Sequence, residues 1–138
     1  MGIKQISVFL ENTTGRLCEV TQTLARAGIN LRAISTADTA DFGILRLIVD
    51  KNDEAIGALT AAGFTTRHTD VAAVEIEDKP GSLADLMEIF RKSGINIEYL
   101  YASLEGSQGK AVVIFKLEDH DKGMGILEKS GLIMPERF

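Results

Sequence analysis

Apolar residues recur along the chain with two different periods, which indicate where strands and helices lie. Near the start they occupy every second position, as in a half-buried β-strand: Ile6, Val8 and Leu10. In the next segment they recur at the spacing of one helix face: Leu17, Val20 and Leu24. This stretch therefore predicts a strand followed by a helix.

The same succession occurs again 66 residues further along the chain. Residues 12–31 read NTTGRLCEVTQTLARAGINL, and residues 78–97 read DKPGSLADLMEIFRKSGINI. Extending the constant offset outward predicts these further equivalent pairs: Val8 and Val74, Gly43 and Gly109, Ile48 and Ile114. A repeat of this length predicts two copies of one structural unit.

Each copy predicts the element order β-α-β-β-α-β. After the first helix and second strand we expect hairpin turns at 38–43 and 105–109, third strands at 43–50 and 109–117, and second helices at 53–62 and 119–130. Glycines in the left-handed conformation are expected to end the helices: Gly28, Gly63, Gly94 and Gly131. Gly123 and Gly125 lie inside the last helix, where each glycine disfavours the helical conformation by up to about 1 kcal/mol. Fourth strands begin near Phe64 and Leu132, and Pro135 cuts the second one short.

This order is the ferredoxin-like pattern, and it predicts an α+β fold. We expect two units, residues 1–69 and 70–138, each with an antiparallel sheet and with both helices on one face. The face of each sheet that the helices leave open must be buried against another surface, because exposed apolar sheet faces and edges promote association. The units are therefore expected to pair with each other and with a second chain, most simply as a homodimer.

Composition narrows the functional classes. The formal net charge is −5 and no basic run occurs, which argues against a nucleic-acid partner. The apolar runs are far shorter than the ~20 residues of a membrane helix, so no membrane partner is expected. The single cysteine, Cys18, favours a reducing compartment, and we expect a cytoplasmic protein. His68 and His120 have no ligand-spaced partners, so we expect neither a metal site nor a cofactor.

The first turn of each unit carries the candidate chemistry. Residues 12–17 and 78–83 connect a strand to a helix N-terminus, whose unpaired N–H groups can bind an anion such as a carboxylate. Asn12 could hold either end of a zwitterion, since its amide both donates and accepts hydrogen bonds. Alternatively, Asn12 is an ordinary N-cap of the helix. Asn30 and Asn96 open the second strands, where asparagine is unusual. Each faces either a ligand or the helix-ending turn.

The pattern Asn/Asp-x-x-Gly-x-Leu, followed by a helix and Gly-Ile-Asn, resembles the signature of ACT domains. The resemblance covers nearly the whole chain, and the second copy, with Pro80 before Gly81, matches it better than the first. ACT domains typically bind amino acids or other small metabolites at interfaces between paired domains. The resemblance implies that the following residues bind ligand: Asn12, Thr13, Thr14, Gly15, Arg16, Leu17, Asn30, Asp78, Pro80, Gly81, Ser82 and Asn96.

The first unit is the favoured site, because Asp78 replaces an asparagine and would repel a ligand carboxylate. We therefore expect a non-catalytic sensor that binds a free amino acid and regulates amino-acid metabolism allosterically. Residues 6–35 also resemble the small subunits of acetolactate synthase, so a regulatory subunit of such a biosynthetic enzyme is the alternative. An enzyme and a purely structural assembly module are the remaining hypotheses, and no nucleophile–base set supports the enzyme.

Overall fold

The computed structural model describes residues 2–38, 42–104 and 108–136. These residues form the following elements in order: β1 (Ile3–Glu11), α1 (Arg16–Arg26), β2 (Leu31–Asp38), β3 (Phe42–Val49), α2 (Asn52–Ala61), β4 (Thr65–Glu77), α3 (Ser82–Lys92), β5 (Ile97–Ala102), β6 (Lys110–Leu117) and α4 (His120–Lys129). The chain divides into two compact units, residues 4–69 and residues 70–138 with the N-terminal residues up to Ile3. The 13-residue strand β4 crosses this boundary, and it ends the first β-α-β-β-α-β pattern and begins the second.

In the first unit the strand order is β2-β3-β1-β4, and β1 and β2 both pair with β3 in antiparallel fashion. Alternate residues of β1 and β3 pack against both helices, which places α1 and α2 on one face of the sheet. The buried core consists mainly of these side chains: Ile6, Val8, Leu10, Val20, Leu24, Leu45, Leu47, Val49, Ala55, Leu59 and Phe64. The α+β fold predicted from the repeat is confirmed.

In the second unit the strand order is β4-β6-β5, and both pairs are antiparallel. Its core is built on the same plan from strands and both helices: Ala72, Val74, Leu86, Phe90, Ile95, Val113, Phe115, Leu117, Met124 and Leu127. The short fourth strand is reduced to one isolated bridge, in which the Glu75 N–H donates to the Ile133 carbonyl oxygen over 2.9 Å.

The predicted glycine helix ends are confirmed in detail at α1 and α3. Gly28 has a φ of 71°, and its N–H donates to the Ala25 carbonyl oxygen while the Ile29 N–H donates to that of Leu24. Gly94 repeats this arrangement, with a φ of 68°. The paired hydrogen bonds form a Schellman motif, which satisfies carbonyl groups at the end of the helix and directs the chain into the next strand.

One predicted feature of the helices is wrong. Leu17 shares the predicted apolar face of α1 with Val20 and Leu24, yet it is 45% exposed, and its counterpart Leu83 on α3 is 38% exposed. Val20 and Leu24 are buried as expected. Both residues lie in the first turn of their helices, and Leu17 lines a cavity described below instead of the core.

The glycines in α4 have different surroundings. Gly123 is buried, and a Cβ atom there would collide with Cδ1 of the buried Leu117 side chain on β6. A Cβ atom at Gly125 would meet no atom of a neighbouring element within 4 Å. The helix is also capped, since Asp119 Oδ1 accepts a hydrogen bond from the Lys122 N–H over 3.1 Å. The glycine that weakens the sequence pattern of α4 thus permits close packing of helix on strand.

The strand registers show that the two units differ in hairpin length. Leu10 pairs with Gly43 in the first unit, whereas Ile76, the counterpart of Leu10, pairs with Ala111 in the second. The offset is 66 before the hairpin and becomes 68 after it. A shift of two residues keeps every side chain on its original face of the sheet, so the core is preserved.

The offset of 66 is therefore wrong beyond the hairpin. The predicted equivalences of Gly43 with Gly109 and of Ile48 with Ile114 are replaced by Gly43 with Ala111 and Ile48 with Lys116. The predicted hairpin turns at 38–43 and 105–109 lie largely outside the described residues.

Candidate ligand-binding site

The turn between β1 and α1 places a glycine at the start of the helix. Gly15 occupies the N-cap position with a φ of 90°, and Gly81 does the same in the second unit with a φ of 92°. A left-handed backbone at this position favours glycine, which has no side chain to cap the helix. Asn12 and Asp78 are therefore not the N-cap residues, and the N–H groups of the first helical turn receive no side-chain cap.

A cavity of about 350 Å³ lies beside this turn in the first unit. It is bounded by the end of β1, the turn, the start of α1, the end of β2 and the start of β3: Leu10, Glu11, Asn12, Thr13, Arg16, Leu17, Thr36, Ala37, Gly43, Ile44 and Leu45. The predicted site residues Thr14 and Gly15 belong to the turn but not to the lining. The contributions of β2 and β3 were missed by sequence reasoning, because only the strand register reveals them.

The lining combines groups of opposite charge with an amide. Glu11 supplies an anion, Arg16 a cation and Asn12 an amide with both donors and an acceptor. The Asn12 side chain makes no hydrogen bond within the part of the chain that the structure describes. Leu10, Leu17 and Ile44 contribute apolar surface. Such a mixture suits a small zwitterion with an apolar portion.

Arg16 is held from two sides. Its guanidinium carbon lies 4.8 Å from the centroid of the Phe64 ring, which is the geometry of a cation–π interaction. One terminal nitrogen forms an ion pair with Glu19, one turn further along α1. The Nε atom is buried and has no hydrogen-bond partner among the described residues. Because Glu19 engages one terminal nitrogen only and the side chain is 30% exposed, the other terminal nitrogen retains donor capacity at the cavity wall.

Asn30 lies at the other end of the same unit. Its backbone N–H donates to Asp50 Oδ1 over 3.0 Å, and the Asp50 N–H donates to the Asn30 carbonyl oxygen over 3.2 Å. Leu31, the next residue, pairs with Val49 at the end of β3, whereas the cavity lies at the start of β3. The structure therefore does not bring Asn12 and Asn30 together within the unit.

The corresponding turn of the second unit has different chemistry. Asp78, Ser82, Ala102 and Ala111 take the places of Asn12, Arg16, Thr36 and Gly43 once the hairpin offset is applied. The cation and the amide are thus both lost. The predicted residues Pro80 and Gly81 shape this turn, which leads into α3.

The charges around the second turn pair with each other. Glu77 forms ion pairs with Lys79 at 2.7 Å and with Lys110 at 3.8 Å. The hydrogen bond from Lys79 and the positive charges of both lysines lower the pKa of Glu77. Asn96 lies instead on an open cavity of about 550 Å³ with acidic neighbours that include Glu118 and Asp119.

Metal-binding clusters and membrane-spanning helices are both absent from the described residues, 2–38, 42–104 and 108–136. These residues contain no cluster of three or more histidine, cysteine, aspartate or glutamate side chains that could hold a metal ion. No helix in this part of the chain is both long enough and apolar enough to cross a membrane.

Two β-α-β-β-α-β patterns, each with a glycine turn before its first helix, define the chain as a tandem of ACT-like domains. The family model of the ACT domain pair matches residues 1–135, and the chain belongs to this family. No curated protein matches the chain at a significant level.

Solved structures extend the comparison. Protein BT0572 from Bacteroides thetaiotaomicron is 38% identical, with a TM-score of 0.92 over 98% of this chain and 92% of that chain. The regulatory subunit of aspartate kinase from Thermus thermophilus, in its ligand-free form, is 22% identical, with a TM-score of 0.68 over 92% of this chain and 91% of that chain. The corresponding subunit from Thermus flavus gives a TM-score of 0.62 at 22% identity, over 93% and 92% of the two chains. At this identity the two kinase subunits establish a shared fold.

Proposed function

We propose that the chain is a non-catalytic sensor that binds a free amino acid in the cavity of the first unit. The observation that carries this proposal is the cavity lining, where Asn12, Glu11 and Arg16 surround a space of about 350 Å³ beside an uncapped helix N-terminus. Pockets of small ligands begin at about 300 Å³, so an amino acid suits this volume. The amino-acid carboxylate is bound by donors of the turn and Arg16, and its ammonium group by Asn12 and Glu11.

We propose that the bound amino acid exerts its regulatory effect by changing how the protein assembles with another chain. Binding shifts an equilibrium only by the difference in affinity between two states, so the bound amino acid has to favour one arrangement over another. Family membership and the kinase regulatory subunits of the same fold support a regulatory role in amino-acid metabolism. The ligand-dependent change alters the activity of a separate biosynthetic enzyme in the cytoplasm or the oligomeric state of the chain itself.

A homodimer is the proposed assembly. Asn30 lies at the opposite end of its unit from the cavity, so it can approach a bound amino acid only from another copy of the chain. Light scattering at micromolar concentration, with and without ligand, tests this. A monomer under both conditions would contradict the proposed dimer.

The proposed function is tested by a thermal-shift screen against the twenty amino acids at millimolar concentration. A ligand present at 100 times its Kd stabilises the protein by about 2.7 kcal/mol, which is readily measured. A shift with one chemically related group of amino acids supports the sensor. No shift with any amino acid would contradict it and would favour an assembly module that acts without a small ligand.

A regulatory subunit of a biosynthetic enzyme is the second candidate, favoured by the kinase regulatory subunits that share the fold. Affinity purification of the chain from its native host separates the two. Stoichiometric recovery of a large catalytic partner supports the subunit, whereas recovery of the chain alone supports the free-standing sensor.

A further inference from the structure

We infer that Arg16 determines the charge class of the ligand by binding its carboxylate, so that amines of the same shape are rejected. The inference rests on the proposed function and assigns a specificity role to one residue of that site. Arg16 is the one cation among the described residues that line the cavity. A guanidinium fits a carboxylate through two parallel hydrogen bonds, which an amine cannot accept.

The surroundings of Arg16 fix its position before a ligand arrives. The Phe64 ring supports the guanidinium from one side at 4.8 Å, and Phe64 itself is buried. Glu19 engages one terminal nitrogen only. A free arginine side chain is flexible and loses conformational entropy when it binds a ligand. Because these two contacts already hold Arg16 in place, binding a carboxylate costs less conformational entropy.

The donors of Arg16 are not exhausted by these contacts. A guanidinium carries five N–H groups. Its Nε is buried and has no hydrogen-bond partner among the described residues. This buried Nε does not face the open cavity, but the Arg16 side chain is 30% exposed and Glu19 engages only one of its terminal nitrogens. The other terminal nitrogen can donate to a carboxylate in the adjoining cavity. The site is therefore prepared for a negatively charged group.

The second unit provides an internal comparison. Ser82 occupies the position of Arg16, and the neighbouring Asp78 adds a negative charge in place of the Asn12 amide. The cation at the Arg16 position is thus present in the first unit and absent from the second, where Lys79 and Lys110 are paired with Glu77. We expect carboxylate binding in the first unit and none in the turn of the second.

The test compares Arg16→Gln with Arg26→Gln by isothermal titration calorimetry. Arg26 lies on the same helix, is exposed and does not line the cavity, so its variant removes the same charge elsewhere. The probes are the amino acid that gives the largest thermal shift and its decarboxylated amine, for example serine with ethanolamine. Circular dichroism checks that both variants fold.

The expected result has three parts. Wild type and Arg26→Gln bind the amino acid equally, Arg16→Gln binds it at least about tenfold more weakly, and none of them binds the amine measurably. Unchanged affinity in Arg16→Gln would overturn the inference while leaving the proposed function intact. Absence of binding by wild type would instead overturn the proposed function, and this inference with it.

The positioning role of Phe64 is tested by a double-mutant cycle with Phe64→Leu, which keeps the site apolar. If the ring acts through Arg16, Phe64→Leu weakens binding in the wild-type background and has little further effect in Arg16→Gln. Equal effects in both backgrounds would show that Phe64 is only a packing residue. Should Arg16→Gln not fold, Arg16→Lys is used instead, which keeps the charge but loses the bidentate geometry.

Discussion

The backbone N–H of Asn30 donates a hydrogen bond to Oδ1 of Asp50, and the Asp50 N–H returns one to the Asn30 carbonyl oxygen. The Asn30 side chain takes no part in this pair. We therefore predict that Asp50→Ala lowers the free energy of unfolding by about 1 kcal/mol. Asn30→Ala should change it by less than about 0.5 kcal/mol, because the backbone donor remains. Chemical denaturation measures both, and a larger loss in Asn30→Ala would contradict the assignment.

The two glycines of α4 provide a matched pair of variants. Gly123→Ala should lower the free energy of unfolding by about 1 kcal/mol, since the overlap with the buried Leu117 exceeds the gain in helix propensity. Gly125→Ala meets no neighbour and should raise it by about 0.5–1 kcal/mol. Urea denaturation of both variants is the measurement. Equal shifts of the same sign would show that α4 does not pack on β6 as described.

The sequence predicts the fold well because hydrophobic periodicity and helix-ending glycines are local signals. Val20 and Leu24 are buried on their predicted helix face, and Gly28 and Gly94 end their helices as expected. The hairpin length was not predictable in this way. A constant offset of 66 still matches glycine to glycine and isoleucine to isoleucine by coincidence, whereas only hydrogen-bonded pairing reveals the offset of 68.

The candidate site could be predicted only in part, for the same reason. Asn12, Thr13 and Arg16 are contiguous with the turn motif and were found from sequence. Thr36 and Gly43 line the same cavity from other strands, and their position depends on register rather than on any local pattern. Asn30 shares a motif with Asn12 but lies at the far end of the unit. It precedes the first residue of the eight-residue strand β2, whereas the cavity is lined by the other end of that strand.

Asn12 should matter for binding and not for stability. An N-cap replaced by alanine costs about 1 kcal/mol, but Gly15 occupies the N-cap position here. Asn12→Ala should therefore keep the free energy of unfolding within about 0.5 kcal/mol of wild type and abolish the thermal shift caused by the amino acid. A variant that loses stability and still binds normally would identify Asn12 as a structural residue.

Glu77 should titrate below its usual range. Its pKa is lowered first by the hydrogen bond from Lys79 and then by the nearby positive charges of Lys79 and Lys110. Because the folded-state pKa lies below the unfolded one, the stabilising contribution is present above the unfolded pKa of 4.5 and is lost as pH falls through the folded value. Carbon-detected NMR titration of the Glu77 carboxyl measures this. Lys79→Met should move the midpoint upward, and high salt should reduce the difference. An unchanged midpoint in that variant would contradict the pairing.

The central claim, that an amino acid binds beside the first turn of the first unit, is tested most directly by NMR. The amino acid that gives the largest thermal shift is titrated into nitrogen-15-labelled protein, and backbone amide shifts are followed residue by residue. The account predicts the largest changes at residues 10–17, 36–37 and 43–45, with smaller changes at the equivalent positions 76–83, 102–103 and 111–113. Changes concentrated in the second set, or spread evenly over both, would contradict it.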